Sequence, residues 1–474
     1  MAEALSHLLV DARPVCHPTA GARGIGRYTM GLLGGLHAAG APVVALYETA
    51  VEAAQLAAAL PDITLQQLHP ATVRQYTESG AWFLATQLML HPIPLDPVPR
   101  IITESGLPVA AVMYDVIPER YPEQYQVRPA ARAQVRLRGI LTRTLDALLA
   151  ISDFAADTAA EELRFPRDRI VTIGAGCDGQ FAPAAGDAWP RLRNVLANDG
   201  RSLVVNVAGG SDPRKNVERL LRAWGTLPKA IRHTHRLAVV GTFDDTLHRQ
   251  WLQWALEAGV VAEVLFTGSV TDEELVALHQ VARLAIVPAT EEGFGLPVLE
   301  AAACGCPVIT SNVSALPEVL AEPTAEFDPY DVSAIASALT KALTDEPHRQ
   351  VLLAAVRAAA QLWTWPGVGR ATVAALEELG PRKPRALRVV PRRIALAGKF
   401  DDSSAGRANI AYAQSMSTKP NAPEITLLVD NSANDNSANG NATHGGPLRF
   451  PVRALGRFVH RSQFDDVIKL PVDA

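Results

Sequence analysis

The sequence has little of what would make a membrane-spanning, secreted or nucleic-acid-binding chain. Its 474 residues include four cysteines, Cys16, Cys177, Cys304 and Cys306, with no paired spacing beyond Cys304-x-Cys306. That pattern excludes a disulfide framework or zinc site and reads as small buried residues in a reducing compartment. No apolar run approaches the roughly eighteen residues of a membrane span. Met1 to Val10 has no basic start and only a short apolar run, so no signal peptide is expected and a cytoplasmic location is. Positive charge is also short: 44 Lys and Arg against 49 Asp and Glu give a net charge of −5. A general nucleic-acid binder would be basic. No Asp-x-Asp pair occurs, and Asp244-Asp245 is too short to replace one.

What is present is a core. Hydrophobic residues make up 48% of the chain and charged residues 20%, enough to bury about three domains of ordinary size. Short strands rich in Val, Ile, Leu and Ala alternate with longer helical patterns over the first 380 residues. Expected strands are Leu8–Asp11, Val43–Tyr47, Pro108–Met113, Ala147–Ile151 and Ile170–Ile173, then Leu203–Ala208, Arg236–Gly241, Glu263–Gly268, Leu284–Pro288, Pro307–Thr310 and Ala325–Phe327. Such alternation predicts an α/β fold with parallel sheets covered by helices on both faces. Between the two sets, Gly174 to Asn198 is rich in Gly, Ala and Pro and reads as a linker between two doubly wound lobes. The boundaries predicted are 1–190 and 198–380. Helices are expected at Val332–Thr344, Arg349–Leu362 and Val368–Leu379. Residues 381–391 form a basic, proline-containing linker. The remainder, 392–474, holds strand-like Arg393–Gly398 and Glu424–Val429, a Ser403–Arg407 loop and the polar tract Asn431–Gly446. The sequon Asn441-Ala442-Thr443 has no meaning without a secretory route.

The most informative stretch is Glu292-Gly293-Phe294-Gly295-Leu296-Pro297-Val298-Leu299-Glu300. It follows a buried strand and enters a helix near Pro297, since proline suits the first helical turn. Glu292 then sits in the loop and Glu300 about one turn into the helix, both facing one cleft. Free N–H groups at the helix start favour anions. Two hydroxyl-accepting carboxylates beside such a helix end suit a nucleotide sugar. This stretch resembles the E-x7-E signature of the family 4 retaining glycosyltransferases. The resemblance covers residues 8 to 380. It implies the GT-B architecture, two Rossmann-like lobes facing across a cleft, with the last helical run crossing back onto the first lobe. In the family scheme Glu300 binds the ribose and Glu292 the donor sugar, with Gly293, Phe294, Gly295 and Leu296 close to the donor.

Other segments fit that frame. Gly209-Gly210-Ser211-Asp212-Pro213-Arg214-Lys215-Asn216 puts two cations at a helix entry, a poor place for them unless an anion is bound. It resembles the family's diphosphate-binding segment, with Lys215 as its lysine. Many members carry an arginine where this chain has Gly210, so Arg214 is expected to supply the second charge. Gly21-Ala22-Arg23-Gly24-Ile25-Gly26-Arg27-Tyr28 lies too far after the first strand, and lacks the third glycine, for a dinucleotide fingerprint. It resembles the N-lobe glycine loop, whose Gly24 and Gly26 approach the donor phosphates. Tyr114-Asp115 stands where members often place His-Asp. Tyr114 can donate a hydrogen bond but cannot act as a base near neutrality, and Asp115 is expected in the cleft. Val270, in Phe266–Leu275, falls in a loop that lines the nucleoside base in the family. Ile151-Ser152-Asp153-Phe154 is a further family landmark. Arg128, Arg132, Arg136 and Arg143 would share a helical face, read as solvated, with anionic lipid as the alternative.

The reading is a retaining transferase moving a hexosyl unit, mannosyl included, from a nucleotide diphosphate sugar to a glycan or lipid-linked acceptor. Bacterial surface polysaccharide synthesis is the setting implied, with contact at the inner membrane as its extension. No cofactor or metal is expected, because the cations replace a divalent ion. Residues 392–474 resemble the opening of a second N-lobe. Two alternatives stay open: a non-catalytic partner subunit derived from a tandem transferase, and a sugar-nucleotide epimerase of the same fold.

Overall fold

A computed structural model of the chain describes residues 5–17, 21, 24–77, 79–90, 97–196 and 198–381, and the backbone of four later strands. The basic linker beyond Pro381, the Ser403–Arg407 loop, the tract Asn431–Gly446 and the Asn441 sequon lie outside the described residues, as do Ala22 and Arg23.

The first sheet holds β1 (Leu8–Asp11), β2 (Val43–Tyr47), β3 (Thr64–Gln67), β4 (Trp82–Ala85), β5 (Val109–Met113), β6 (Ala147–Ala150) and β7 (Ile170–Thr172). Their order across the sheet is β3-β2-β1-β4-β5-β6-β7. The second sheet holds β8 (Ser202–Gly209), β9 (His235–Gly241), β10 (Val264–Gly268), β11 (Leu284–Val287), β12 (Val308–Ser311) and β13 (Glu326–Phe327), in the order β10-β9-β8-β11-β12-β13. Pairing is parallel throughout, including β1 with β2 and β4, and β8 with β9 and β11. In each lobe the order reverses beside its first strand, next to β4 in one and β11 in the other. The crevice at the carboxyl ends there is where such folds bind ligands.

Every expected strand in the two lobes is present within one or two residues. Two more, β3 and β4, escape the pattern. β3 is a polar edge strand with half-exposed Gln66 and exposed Gln67. β4, Trp82-Phe83-Leu84-Ala85, is wholly buried, and four apolar residues do not distinguish a buried strand from a piece of helix.

The helices that position the site are α1 (Gly24–Ala38), α2 (Ile117–Arg120), α3 (Pro122–Tyr125), α4 (Pro129–Thr142), α5 (Asp153–Leu163), α6 (Val217–Thr226), α7 (Asp272–Val281) and α8 (Leu296–Ala303). After them come α9 (Val332–Thr344), α10 (Glu346–Leu362) and α11 (Trp365–Leu379). Local chemistry sets their starts. Ser152 caps α5, the Thr271–Glu274 capping box opens α7, and Asp331 and Thr364 cap α9 and α11. The last helix returns to the first lobe and lies against α1. Contact is close because α1 offers glycines: a Cβ at Gly35 would meet the Trp365 carbonyl oxygen at 2.1 Å, and one at Gly369 the Gly35 oxygen at 2.3 Å. Arg169 of the first lobe then ties the carbonyls of Leu379 and Gly380, each at 2.7 Å. On the other side, Ala188, Leu192 and Leu196 pack with Leu203, Val205, Ala238 and Val240 of the second sheet.

The C-terminal segment departs from expectation in strand number. To β14 (Arg393–Gly398) and β15 (Glu424–Val429) the structure adds β16 (Val452–Ala454) and β17 (Asp466–Lys469). They form a four-stranded parallel sheet ordered β16-β15-β14-β17. The two late strands are short and set among polar and basic residues, so periodicity does not announce them. Their order repeats that of the first four strands of both lobes.

Candidate functional site

The second lobe's crevice is built by two loops. The first leaves β8 through Gly209 and Gly210, and Asp212, capping a short turn, accepts from the Arg214 amide. It ends at Asn216, which adopts a left-handed conformation with φ of 57°, a region asparagine tolerates better than most residues. The buried Asn216 amide donates to the carbonyls of Pro288 and Pro329 at 2.9 and 2.8 Å. This pins the cationic loop to the end of β11.

The second loop runs from β11 to α8. Gly295, at φ of 113°, makes the sharp entry into α8, and Pro297 follows in its first turn. Phe294 is buried edge-on against Trp363, ring centres 5.2 Å apart, so it anchors the loop in the core. Gly293 lies on the first lobe, where a Cβ would meet the Tyr114 carbonyl oxygen at 2.2 Å.

These loops bring together two of the predicted side chains. Lys215 Nζ stands 2.5 Å from Glu292 Oε1, with both side chains largely enclosed. Arg214 is committed differently. Its Nη2 reaches Asp212 Oδ2 at 2.7 Å and its Nη1 the Glu291 carbonyl at 2.7 Å, while Glu292 Oε2 is 4.0 Å away. Burial would raise the Asp212 carboxyl, but the Arg214 hydrogen bonds and charge outweigh it and hold the group below its usual range. Much of the Arg214 charge is therefore neutralised within its own loop.

Glu300 occupies the other end of the site, one turn into α8. It lines a cavity of about 70 Å³ between the lobes with Gly24, Arg27, Tyr28, Leu296 and Trp365. Arg27 Nη1 comes to 3.7 Å, and among the described residues no hydrogen bond reaches the Glu300 carboxylate. Burial pushes its pKa up to about 7, against the opposing pull of Arg27 and, more weakly, Lys215. Arg27 is held by Asp178, with Nη2–Oδ2 at 2.8 Å, and the Trp365 indole donates to Asp178 Oδ1 at 3.1 Å. Cys177 and Cys304 lie close by, and burial raises both thiols, Cys304 to about 12, as inert small residues require.

The remaining predicted residues are distributed around this centre. Gly24 opens α1 at φ of 44° on the cavity wall, while Gly26 is buried inside the helix. Gly210 is partly exposed at the crevice, its amide turned back to the Ala208 carbonyl at 2.9 Å. Val270 packs onto the second lobe's core at the end of β10. Asp115 accepts from the Ile117 amide at 3.1 Å and so shapes the entry to α2. The Tyr114 hydroxyl turns away from the second lobe to the Thr86 carbonyl, 3.3 Å away, its ring edge-on to Tyr28. Its contribution at the cleft is its main chain. Arg128, Arg132, Arg136 and Arg143 are exposed along α4. Arg138 on the same helix is buried and forks onto Glu119 at 2.8 and 2.9 Å.

Sequence reading passed over several groups that the fold places here. Arg27 lay in plain view after Gly26, yet only the packing of α1 against α8 shows that it faces Glu300. Glu291, buried beside the motif, meets Arg120 at 2.9 Å and the Tyr121 hydroxyl. Tyr125 donates to Asp212 Oδ1 at 2.7 Å. Ser152 donates to the Gly293 carbonyl at 2.6 Å, and Glu318 of the second lobe accepts from the Asp153 and Phe154 amides at 2.8 Å. The lobes are thus in direct contact around the site.

Residues 190–358 match the family model described as Glycosyl transferases group 1. The O-antigen chain mannosyltransferase B of Escherichia coli is 34% identical over 239 residues, 49% of this chain and 60% of that protein. A serotype-specific mannosyltransferase, WbdA of Escherichia coli, is 32% identical over 259 residues, 54% of this chain and 31% of the relative. The chain therefore spans less than two thirds of these relatives. Among solved structures, Anabaena Alr3699/HepE in complex with UDP and glucose superposes with a TM-score of 0.60 at 14% identity, covering 78% of this chain and 99% of that one. Sucrose-phosphate synthase from Thermosynechococcus elongatus gives 0.58 at 21% identity, covering 79% and 98%. The fold is GT-B, and residues 190–358 are similar to the group 1 glycosyl transferases.

Proposed function

We propose that this chain is a retaining glycosyltransferase that moves a hexosyl unit, mannosyl first among the candidates, from a nucleoside diphosphate sugar to a glycan or lipid-linked acceptor. Glu300 carries the proposal. A carboxylate enclosed between two lobes without a hydrogen bond from the described residues is costly unless a ligand supplies donors. A ribose offers two adjacent hydroxyl donors. The Lys215–Glu292 pair stands ready for the reacting end: Glu292 accepts from a sugar hydroxyl, and Lys215 turns its charge to the diphosphate.

In the reaction the bond from the anomeric carbon to the diphosphate oxygen breaks, and the acceptor oxygen bonds to the same face. The departing phosphate oxygen takes the acceptor's proton. Negative charge grows on the leaving group, so Lys215 and the α8 amides bind the transition state more tightly than the donor. No divalent ion is needed in this scheme. The mannosyltransferase relatives in O-antigen synthesis support the sugar and the polysaccharide setting. The strand order in residues 393–469, shared with the first four strands of either lobe, supports the reading of that segment as the opening of a further lobe of this type.

Calorimetric titration with UDP and GDP tests the core of the proposal: saturable binding of one of them is expected, and binding of neither would overturn it. Transfer from the matching nucleotide sugar should continue in EDTA. Loss of transfer in chelator, restored by magnesium or manganese, would refute the metal-free scheme.

A further inference from the structure

We infer that Glu291 is a positioning residue, which docks the donor-contacting loop onto Arg120 and Tyr121 of the first lobe and so sets Glu292 and Lys215 in register with the acceptor side. This rests on the transferase reading above. Glu291 belongs to the second lobe, yet it is only 3% exposed and its side chain enters the first lobe. Arg120 Nε lies 2.9 Å from its Oε1, and the Tyr121 hydroxyl donates to its Oε2. A buried carboxylate of this kind is tolerable only while its partners stay in place. When the lobes part, water must replace both partners together.

The position of Glu291 is felt at once by the reacting groups. Its carbonyl accepts from Arg214, and the next residue, Glu292, holds Lys215. The first-lobe half of the contact is itself braced. Glu119 is pinned by the buried Arg138, and the Arg120 guanidinium lies over the Phe154 ring at 5.5 Å. From the same short stretch, the Tyr125 hydroxyl reaches Asp212 and lies 2.9 Å from Arg214 Nε. Residues 119–125 of one lobe therefore touch both crevice loops of the other. An ordinary interface ion pair would stabilise the assembly without being coupled to the chemistry.

The test uses Glu291→Ala, Tyr121→Phe and their combination. In Glu291→Ala, kcat should fall about tenfold or more, because displacements near 1 Å cost rate steeply. Nucleoside diphosphate affinity should stay within about threefold, since the second-lobe pocket is untouched. Tyr121→Phe should lower kcat less, and adding it to Glu291→Ala should cost nothing further. Small-angle scattering of the nucleotide-bound chain should show a larger radius of gyration for Glu291→Ala than for the parent. A kcat within about twofold of the parent, losses that simply multiply, or an unchanged radius would each overturn the proposal. If the parent binds no nucleoside diphosphate, the transferase reading fails, while scattering of the two proteins still reads the docking itself. Should Glu291→Ala not fold, Tyr121→Phe with Arg120→Gln provides the same comparison.

Discussion

The two lobes place their crevices at the same point of the same strand order, but they furnish them in opposite ways. In the first lobe Asp11, at the end of β1, is closed off by its neighbours. Arg13 forks onto it at 2.8 and 2.9 Å, the Gln87 amide donates to Oδ2 at 2.9 Å, and Arg13 also reaches Glu48 at 2.5 Å. In the second lobe the loop ends keep unspent capacity. Lys215 and Glu292 have chiefly each other, and among the described residues Glu300 has only a distant cation. Parallel strands ordered this way create a concave rim in both lobes. Whether that rim is a site depends on whether its polar groups are already satisfied from within.

Substitutions can break that contrast. The largest effect should follow Lys215→Ala. Removing one stabiliser of a developing charge costs about 10²–10³ in rate, with a smaller change in donor affinity. Steady-state kinetics beside calorimetry separates the two, and turnover within about threefold of the parent would remove Lys215 from the reaction.

Glu300→Gln comes next. Losing charged hydrogen bonds worth about 1.5–3 kcal/mol each should weaken nucleotide binding about tenfold or more. Unchanged affinity in calorimetry would take Glu300 out of the site. The same variant sharpens the comparison through pH. With its pKa pushed up to about 7, Glu300 holds its proton more tightly in the folded chain than in the unfolded one. Its contribution to stability is therefore present at acidic pH and lost as pH rises through about 7. Without nucleotide, Glu300→Gln should melt higher than the parent at pH 8, with a much smaller gain near pH 5. Nucleotide affinity of the parent should rise across the same interval, and that of the variant should not. Melting scans at the two pH values check both signs.

The smallest effect on ligand should come from the first lobe. Gln87→Ala removes one hydrogen bond from Asp11, at a stability cost of about 1 kcal/mol. Donor nucleotide affinity should stay the same, and a large loss would mean that the first-lobe rim is not the closed structure described.

Much of this was legible in the sequence because it depends on local order. Strand, glycine turn and helix start fix where Glu292, Glu300 and Lys215 stand along the chain, and parallel crossovers carry them to one rim. Whether a side chain is free once there was not legible. Arg214 and Lys215 are neighbours, yet Arg214 is paired within its own loop by Asp212, with Tyr125 arriving from the other lobe, whereas Lys215 pairs with Glu292 of the second loop. The position of Tyr114 could be read, but the direction of its hydroxyl is decided by packing against Tyr28. Nothing in the local sequence marks Glu291, whose burial comes from the first lobe. In the tail, β14 and β15 announce themselves by apolar runs, whereas β16 and β17 gain their identity only by pairing.

The glycine-lined contact between α1 and α11 bears on the order in which the molecule can be completed. The helix that covers α1 is among the last pieces of the 380-residue body to leave the ribosome. A nascent first lobe therefore waits, with the groove over Gly31 and Gly35 open, while the whole second lobe is made. Domains are usually finished as units during synthesis, N-terminal first; here the N-terminal one cannot be. Expressed alone as residues 1–190, it would carry an unfilled seam where Trp365 belongs. The two lobes are separate in architecture but share one moment of completion.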